Sequence, residues 1–263
     1  MDLVRRQWLT AACSVGAGIV LVGCNVPPEG KDVTDEEADK QGTKPAASEV
    51  NAPEDLMREH GVLRRALLVY QESAVKLRSS ASAIAPEALQ KTAKLFRAFG
   101  EEYHEQKLEE AFIFPAVQKA GGMAAAYTGV LIAQHQRGRE LTDYILAVTS
   151  AQLSWRNVEP LARVMESLVR MYEHHTAIED TIVFPAWKQS MTLEQMDVMN
   201  DKFEEIENEQ FGKDGYENAV KQMADIEASL GLADLGQFTA APPPALPETK
   251  AQEKTNSEKN QLK

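Results

Sequence analysis

Two stretches of the chain repeat one pattern. His104-Glu-Gln-Lys-Leu-Glu109-Glu110-Ala-Phe-Ile-Phe114-Pro115 aligns without gaps on His174-His175-Thr-Ala-Ile-Glu179-Asp180-Thr-Ile-Val-Phe184-Pro185. An imidazole and a carboxylate about one helical turn apart can both face the same point beside a helix. Two such pairs constrain the fold strongly. Their polar groups must either lie on the surface or meet inside the protein, where each needs a partner.

The surrounding periodicity places them inside. One helical pattern starts near Pro53, with Asn51 as its cap. Its apolar seam runs Leu56, His60, Leu63, Leu67, Tyr70, Ala74, Leu77, in alternating steps of four and three. A second runs from Pro86 to Ala120 and stops at Gly121-Gly122. A third runs from about Met123 to Leu153, with the seam Leu131, His135, Gly138, Thr142, Ile145. A fourth runs from about Asn157 to Gln189, with the seam Leu161, Met165, Leu168, Tyr172, His175, Glu179, Ile182. The connections are short, so the expected fold is all-α: an up-down-up-down four-helix bundle over residues 53–190. Residues 191–235, broken at Gly212–Gly215, read as one or two accessory C-terminal helices.

Depth along such a bundle brings the ligand-type residues together. At 1.5 Å of rise per residue, His60 lies about 10 Å from one end, Glu109 about 16 Å, His135 about 18 Å and Glu179 about 15 Å. In an antiparallel bundle those four ends coincide. One inward layer then holds His60, His104, Glu109, His135, His175 and Glu179, and a cation would neutralise it. The mixture of imidazole and carboxylate suits iron, manganese or zinc. Six side chains exceed the four that a structural zinc takes, and suit two metals bridged by carboxylates. Ferritin-like bundles place Glu-x-x-His on two helices. Glu101-x-x-His104 fits that string once, but the fourth helix has no counterpart.

These motifs resemble the hemerythrin-like, His/His/Glu cation-binding family. The resemblance rests on Arg58-Glu59-His60-Gly61-Val62-Leu63, on His104…Glu109-Glu110…Ile-Phe-Pro, on Gln134-His135, and on His175…Glu179-Asp180…Phe184-Pro185. It implies a non-haem, usually di-iron, centre that binds or senses O₂ or related small oxidants. Two departures stand out. The family spaces the second-helix His and Glu by four, whereas His104 and Glu109 are five apart. A π-bulge would restore the geometry; otherwise Glu105 and Glu109 would face the metal. O₂-carrying relatives also have a second histidine one turn after the third-helix histidine, where this chain has Arg139, so His174 is the alternative donor. Asp180, five residues after His175, is an alternative to Glu179, although a hydrogen bond to a ligand suits it better.

Other features bound the function. The formal charge is −12, with 28 basic and 40 acidic residues, which disfavours nucleic acid as a partner. Arg5-Arg6 and the apolar run from Trp8 to Val22 read as an export signal, with a single membrane-spanning anchor as the alternative. Leu21-Val22-Gly23-Cys24 resembles a lipobox, so residues 1–24 would be removed to Cys24, which would carry the lipid. The expected location is the cell envelope, with the membrane contacted through that lipid. Residues 25–52 read as a disordered tether and 236–263 as a disordered tail. Both cysteines precede residue 25, leaving the mature chain no cysteine metal ligands. Tyr70, Tyr103 and Tyr172 are expected near the metal layer, and the two Phe-Pro pairs are expected to pack and kink their helices. Two alternatives to O₂, NO or peroxide binding stay open: an enzyme that reduces O₂ or peroxide, and a metal-stabilised interaction module. No protein partner is identifiable from the sequence.

Overall fold

The structure, a computed structural model, describes residues 50–245. The export signal, Cys24 and the remainder of the expected tether and tail lie outside the described residues. Helix α1 is Ala52–Ser79. It starts at a capping box, in which the Asn51 side chain accepts the Glu54 N–H and Glu54 reaches back to the Asn51 N–H. Helix α2 (residues 86–120) joins Pro86–Leu95, a π-helical stretch Phe96–Ile113, and Phe114–Ala120. Helix α3 is Gly122–Val148. Helix α4 (residues 155–189) joins Trp155–Ile178, a π turn Glu179–Val183, and Phe184–Gln189. No strand occurs among the described residues.

The four helices form a closed ring of neighbours, α1 to α2 to α3 to α4 and back to α1. Apolar seams fill its interior. All seven expected seam residues of α1 are buried, as are the five of α3. On α4 the seam holds through Glu179 and then slips. Val183, not Ile182, is buried, because the π turn adds one residue to the period. Helix α3 ends five residues before the expected Leu153. Thr149 folds its hydroxyl onto the Ile145 carbonyl at 2.6 Å, and Gln90 caps the Leu146 carbonyl at 2.5 Å.

Helices α5 (Leu193–Phe211) and α6 (Gly215–Ser229) form a hairpin against the α1–α2 face. Phe211 packs on Phe99 and Tyr103, with ring centroids 5.9 and 5.2 Å apart. Arg65 grips Glu227 through two hydrogen bonds of 2.8 and 2.6 Å. At the hairpin turn, Gly212 and Asp214 have φ of 74° and 64°, which favours glycine at the first. A Cβ at Gly215 would lie 2.7 Å from Glu207 Oε1, the oxygen that accepts the Tyr216 N–H. Beyond it, Leu235–Phe238 forms a 3₁₀ turn, so an ordered element reaches three residues past the expected tail boundary. No helix among the described residues is long and apolar enough to cross a membrane.

Candidate metal centre

The bundle interior holds two pairs of imidazoles. His60 Nε2 and His104 Nε2 lie 3.0 Å apart, and His135 Nε2 and His175 Nε2 are likewise 3.0 Å apart. Two carboxylates span the gap between the pairs. Glu109 places one oxygen 3.3 Å from His104 Nε2 and the other 3.3 Å from His135 Nε2. Glu179 places one oxygen 3.5 Å from His60 Nε2 and the other 3.0 Å from His175 Nε2. All six side chains are buried. The groups {His60, His104, Glu109} and {Glu109, His135, His175, Glu179} each converge tightly enough to hold an ion.

Backbone geometry explains the convergence. In an ordinary α-helix, residues five apart point in different directions. The π-helical stretch of α2 has a wider turn, which brings His104 and Glu109 onto one face. Glu105 turns instead toward Tyr172, which donates to it at 2.6 Å. On α4, His175 and Glu179 sit one ordinary turn apart, and the π turn begins only at Glu179. The structural counterpart of His104 is therefore His175. The gapless repeat, which set His104 on His174, is off by one residue there. His174 is exposed, because it sits on the outer face beside the inward His175.

Both π stretches close at Phe-Pro. The Phe114 N–H bonds the Glu109 carbonyl, and the Phe184 N–H bonds the Glu179 carbonyl. Pro115 and Pro185 then follow without a donor, where a widened turn has room for the ring. Each phenylalanine stacks on a histidine, Phe114 on His135 at 5.5 Å and Phe184 on His60 at 5.3 Å.

Every imidazole is oriented through Nδ1 by a residue on the preceding helix of the ring. His60 donates to Asp180 at 2.7 Å and His104 to Glu59 at 2.6 Å. His135 donates to Glu110 at 2.9 Å and His175 to Gln134 at 2.9 Å. These acceptors fix the tautomer that leaves Nε2 free toward the centre. Asp180 thus serves His60, and Arg64 also pairs with it. Arg139 binds Glu105 and Glu110 at 3.3 and 2.9 Å. The supporting roles of Glu59, Glu110 and Gln134 were not foreseen. Each is adjacent in sequence to an inward ligand, and that adjacency was the available signal. Tyr103 donates to Glu59 at 3.0 Å. Tyr70 is buried with no hydrogen bond to its hydroxyl among the described residues.

The electrostatics point to a cation. Both oxygens of Glu109 and both of Glu179 are buried without a hydrogen-bond partner among the described residues. Such orphaned carboxylate oxygens are costly. Burial opposes charge on Glu109, but the imidazoles of His104 and His135 outweigh it and hold the carboxyl well below its usual range. Burial, and then the Glu109 charge, push Glu179 well above that range. Burial also opposes charge on His135, yet Glu105, Glu109 and Glu110 push it up to about 10. Protein charges alone therefore disfavour ionisation of Glu179, whereas a cation among the four oxygens would favour the charged form of both carboxylates. The donor set of imidazole nitrogens and carboxylate oxygens suits a borderline divalent metal such as iron.

Comparison with known proteins agrees. The Hemerythrin HHE cation binding domain matches residues 51–186. Uncharacterized proteins of Mycobacterium bovis and Mycobacterium tuberculosis are each 43% identical over 239 residues, covering 89% of this chain and 90% of their own. No solved structure matches.

Proposed function

The chain belongs to the hemerythrin HHE cation-binding family, and from that premise we propose that it holds two non-haem iron ions and binds or senses O₂, NO or peroxide at the bacterial envelope. The observation that carries the reading is the pair of orphaned carboxylates, each reaching one histidine of either pair. His60 and His104 would hold one ion, His135 and His175 the other, with Glu109 and Glu179 shared. Such a donor set would leave room for a small ligand, and iron held there would supply reversible redox chemistry toward O₂. The protein supplies orientation through the Nδ1 acceptors and a buried setting for all six side chains. The envelope location rests on the Arg5-Arg6 leader and the Cys24 motif.

A second reading, an enzyme that reduces O₂ or peroxide, draws support from one feature. Tyr172 donates to the buried Glu105, and its ring lies 5.3 Å from that of His175, which places a proton-bearing pair beside the centre. One preparation separates the readings. The chain from residue 25 onward should contain about two irons, and its reduced form should develop a visible band with O₂ that disappears when O₂ is removed. Irreversible oxidation with peroxide turnover would favour the enzyme. A single, spectroscopically silent zinc would overturn both.

A further inference from the structure

The bundle repeats itself beyond the His and Glu ligands. A shift of 75 residues carries Glu59-His60 and Arg64 onto Gln134-His135 and Arg139. The contacts repeat with the sequence. His60 bonds Asp180, which Arg64 also holds; His135 bonds Glu110, which Arg139 also holds. His104 bonds the residue before His60, and His175 bonds the residue before His135. The match fails at one chemically decisive place: the residue holding His104 is the carboxylate Glu59, and the residue holding His175 is the amide Gln134.

We propose that this difference makes the two metal positions unequal, so that the position of His60 and His104 binds a divalent cation more tightly and fills first. The inference rests on the two-metal reading above. A carboxylate behind an imidazole makes the ring a stronger donor and adds negative charge near the ion, while an amide only orients the ring. Asp180 and Glu110 do not distinguish the positions, because each is shared with an arginine, and the buried Glu105, 3.9 Å from His135 Nδ1, is likewise paired with Arg139 and accepts from Tyr172. Glu59 is fully buried, and its two oxygens accept from His104 and from Tyr103 at 2.6 and 3.0 Å. Gln134 offers its amide oxygen at 2.9 Å and no charge. Glu59 and Gln134 act through the histidines, as positioning residues.

The test is a stepwise titration of the metal-free full chain with Co²⁺ against a competing chelator, read by visible absorption. The wild type should bind in two steps at least about 10-fold apart in affinity. His135→Ala should keep the tight step, and His60→Ala should lose it. Gln134→Glu should strengthen the weak step by about 10-fold, and Glu59→Gln should weaken the tight one by a similar factor. Far-UV circular dichroism of the metal-free variants checks folding. Should Glu59→Gln fail to fold, Gln134→Glu decides alone. Two indistinguishable steps, a tight step that survives His60→Ala, or an inert Gln134→Glu would each overturn the inference. If saturation occurs at one equivalent, the two-metal reading falls by itself. Loss of that equivalent in His60→Ala would still support the ranking, and loss only in His135→Ala would overturn it.

Discussion

The α1–α2 half and the α3–α4 half build one device with different parts. Each contributes two histidines and one carboxylate to a common layer, and each orients its histidines with residues borrowed from a neighbouring helix. The halves differ in what surrounds that layer. In the first, His104 and Glu109 need a π stretch to converge, and the α5–α6 hairpin covers the outer face. In the second, His175 and Glu179 converge on an ordinary turn, and Gly138 leaves room for Tyr172. The inward donors repeat, while their supports vary. That division places chemical identity in the six donors and fine adjustment in the groups behind them.

The largest expected effect tests whether the halves share their donors. Glu109 faces both histidine pairs, so Glu109→Ala should abolish metal binding in both halves, measured as metal per chain by elemental analysis. His175→Ala should deplete mainly the second position. His174→Ala should leave the metal content unchanged, since His174 is exposed. A Glu109→Ala protein that keeps one full equivalent would show that the halves bind independently.

Much of this was legible in the sequence because helix periodicity is strict. The seams through His60 and His135 marked the inward faces, and the antiparallel order set the common depth. A π turn leaves no compositional mark, and only the five-residue spacing of His104 and Glu109 signals one on α2. It adds one residue to a helix that otherwise reads as continuous, so the repeat aligns His104 with His174 although the structural counterpart of His104 is His175. The residues that hold the histidines were hidden for another reason. Glu59, Glu110 and Gln134 sit one position from an inward ligand, where helix periodicity alone reads a boundary residue. Only the neighbouring helix shows what they touch. The docking site of α5–α6 depended on Phe99, Tyr103 and Arg65 lying on an outer face that nothing local distinguishes from a solvated one.

The second effect concerns the junction of the halves at α2 and α3. Glu101 is buried, accepts from Thr142 at 2.6 Å and pairs with Arg97 at 2.6 Å, and Arg97 continues to Asp143 on α3. Burial outweighs these partners and raises the Glu101 carboxyl from 4.5 to about 7. For an acid raised in the folded state, the unfolded chain releases its proton first. The group therefore contributes stability at low pH that is lost as pH rises from about 4.5 through about 7. Glu101→Gln should flatten that slope, gaining roughly 2 kcal/mol relative to the wild type at pH 8. Urea melts from pH 5 to 8 measure it, and a difference independent of pH would refute the assignment. Arg97→Ala should act in the opposite direction, since it strips Glu101 of its counter-charge.

Glycines separate the halves at a smaller scale. A Cβ at Gly138 would lie 2.1 Å from the Tyr172 hydroxyl, the group that donates to Glu105. Gly138→Ala should cost about 1–3 kcal/mol by overpacking. Gly61, on α1, has nothing within 4 Å of its Cβ position. Gly61→Ala should stabilise by about 0.5–1 kcal/mol, because alanine favours the helix. Equal thermal shifts for the two variants would remove Tyr172 as the reason for a glycine at 138.

The smallest effect lies at the other junction, between α1 and α4. Arg78 on α1 reaches Glu159 at 2.9 Å and Glu166 at 2.5 Å on α4. All three side chains are at least a third exposed, at 36%, 47% and 45%. The hydrogen bonds to Glu166 and Glu159 raise the Arg78 guanidinium, and the bond to Arg78 brings Glu159 down to about 2. Solvent screens these charges, however, and three long side chains lose rotamer freedom when they meet. Arg97 differs because its removal strands a buried carboxylate, whereas removal of Arg78 exposes two carboxylates to water. Arg78→Ala should therefore lower Tm by no more than about 2 °C, and the difference should vanish at 1 M salt. A larger, salt-independent loss would mean that the α1–α4 seam depends on this arginine as the α2–α3 seam depends on Arg97, and that the two junctions are alike after all.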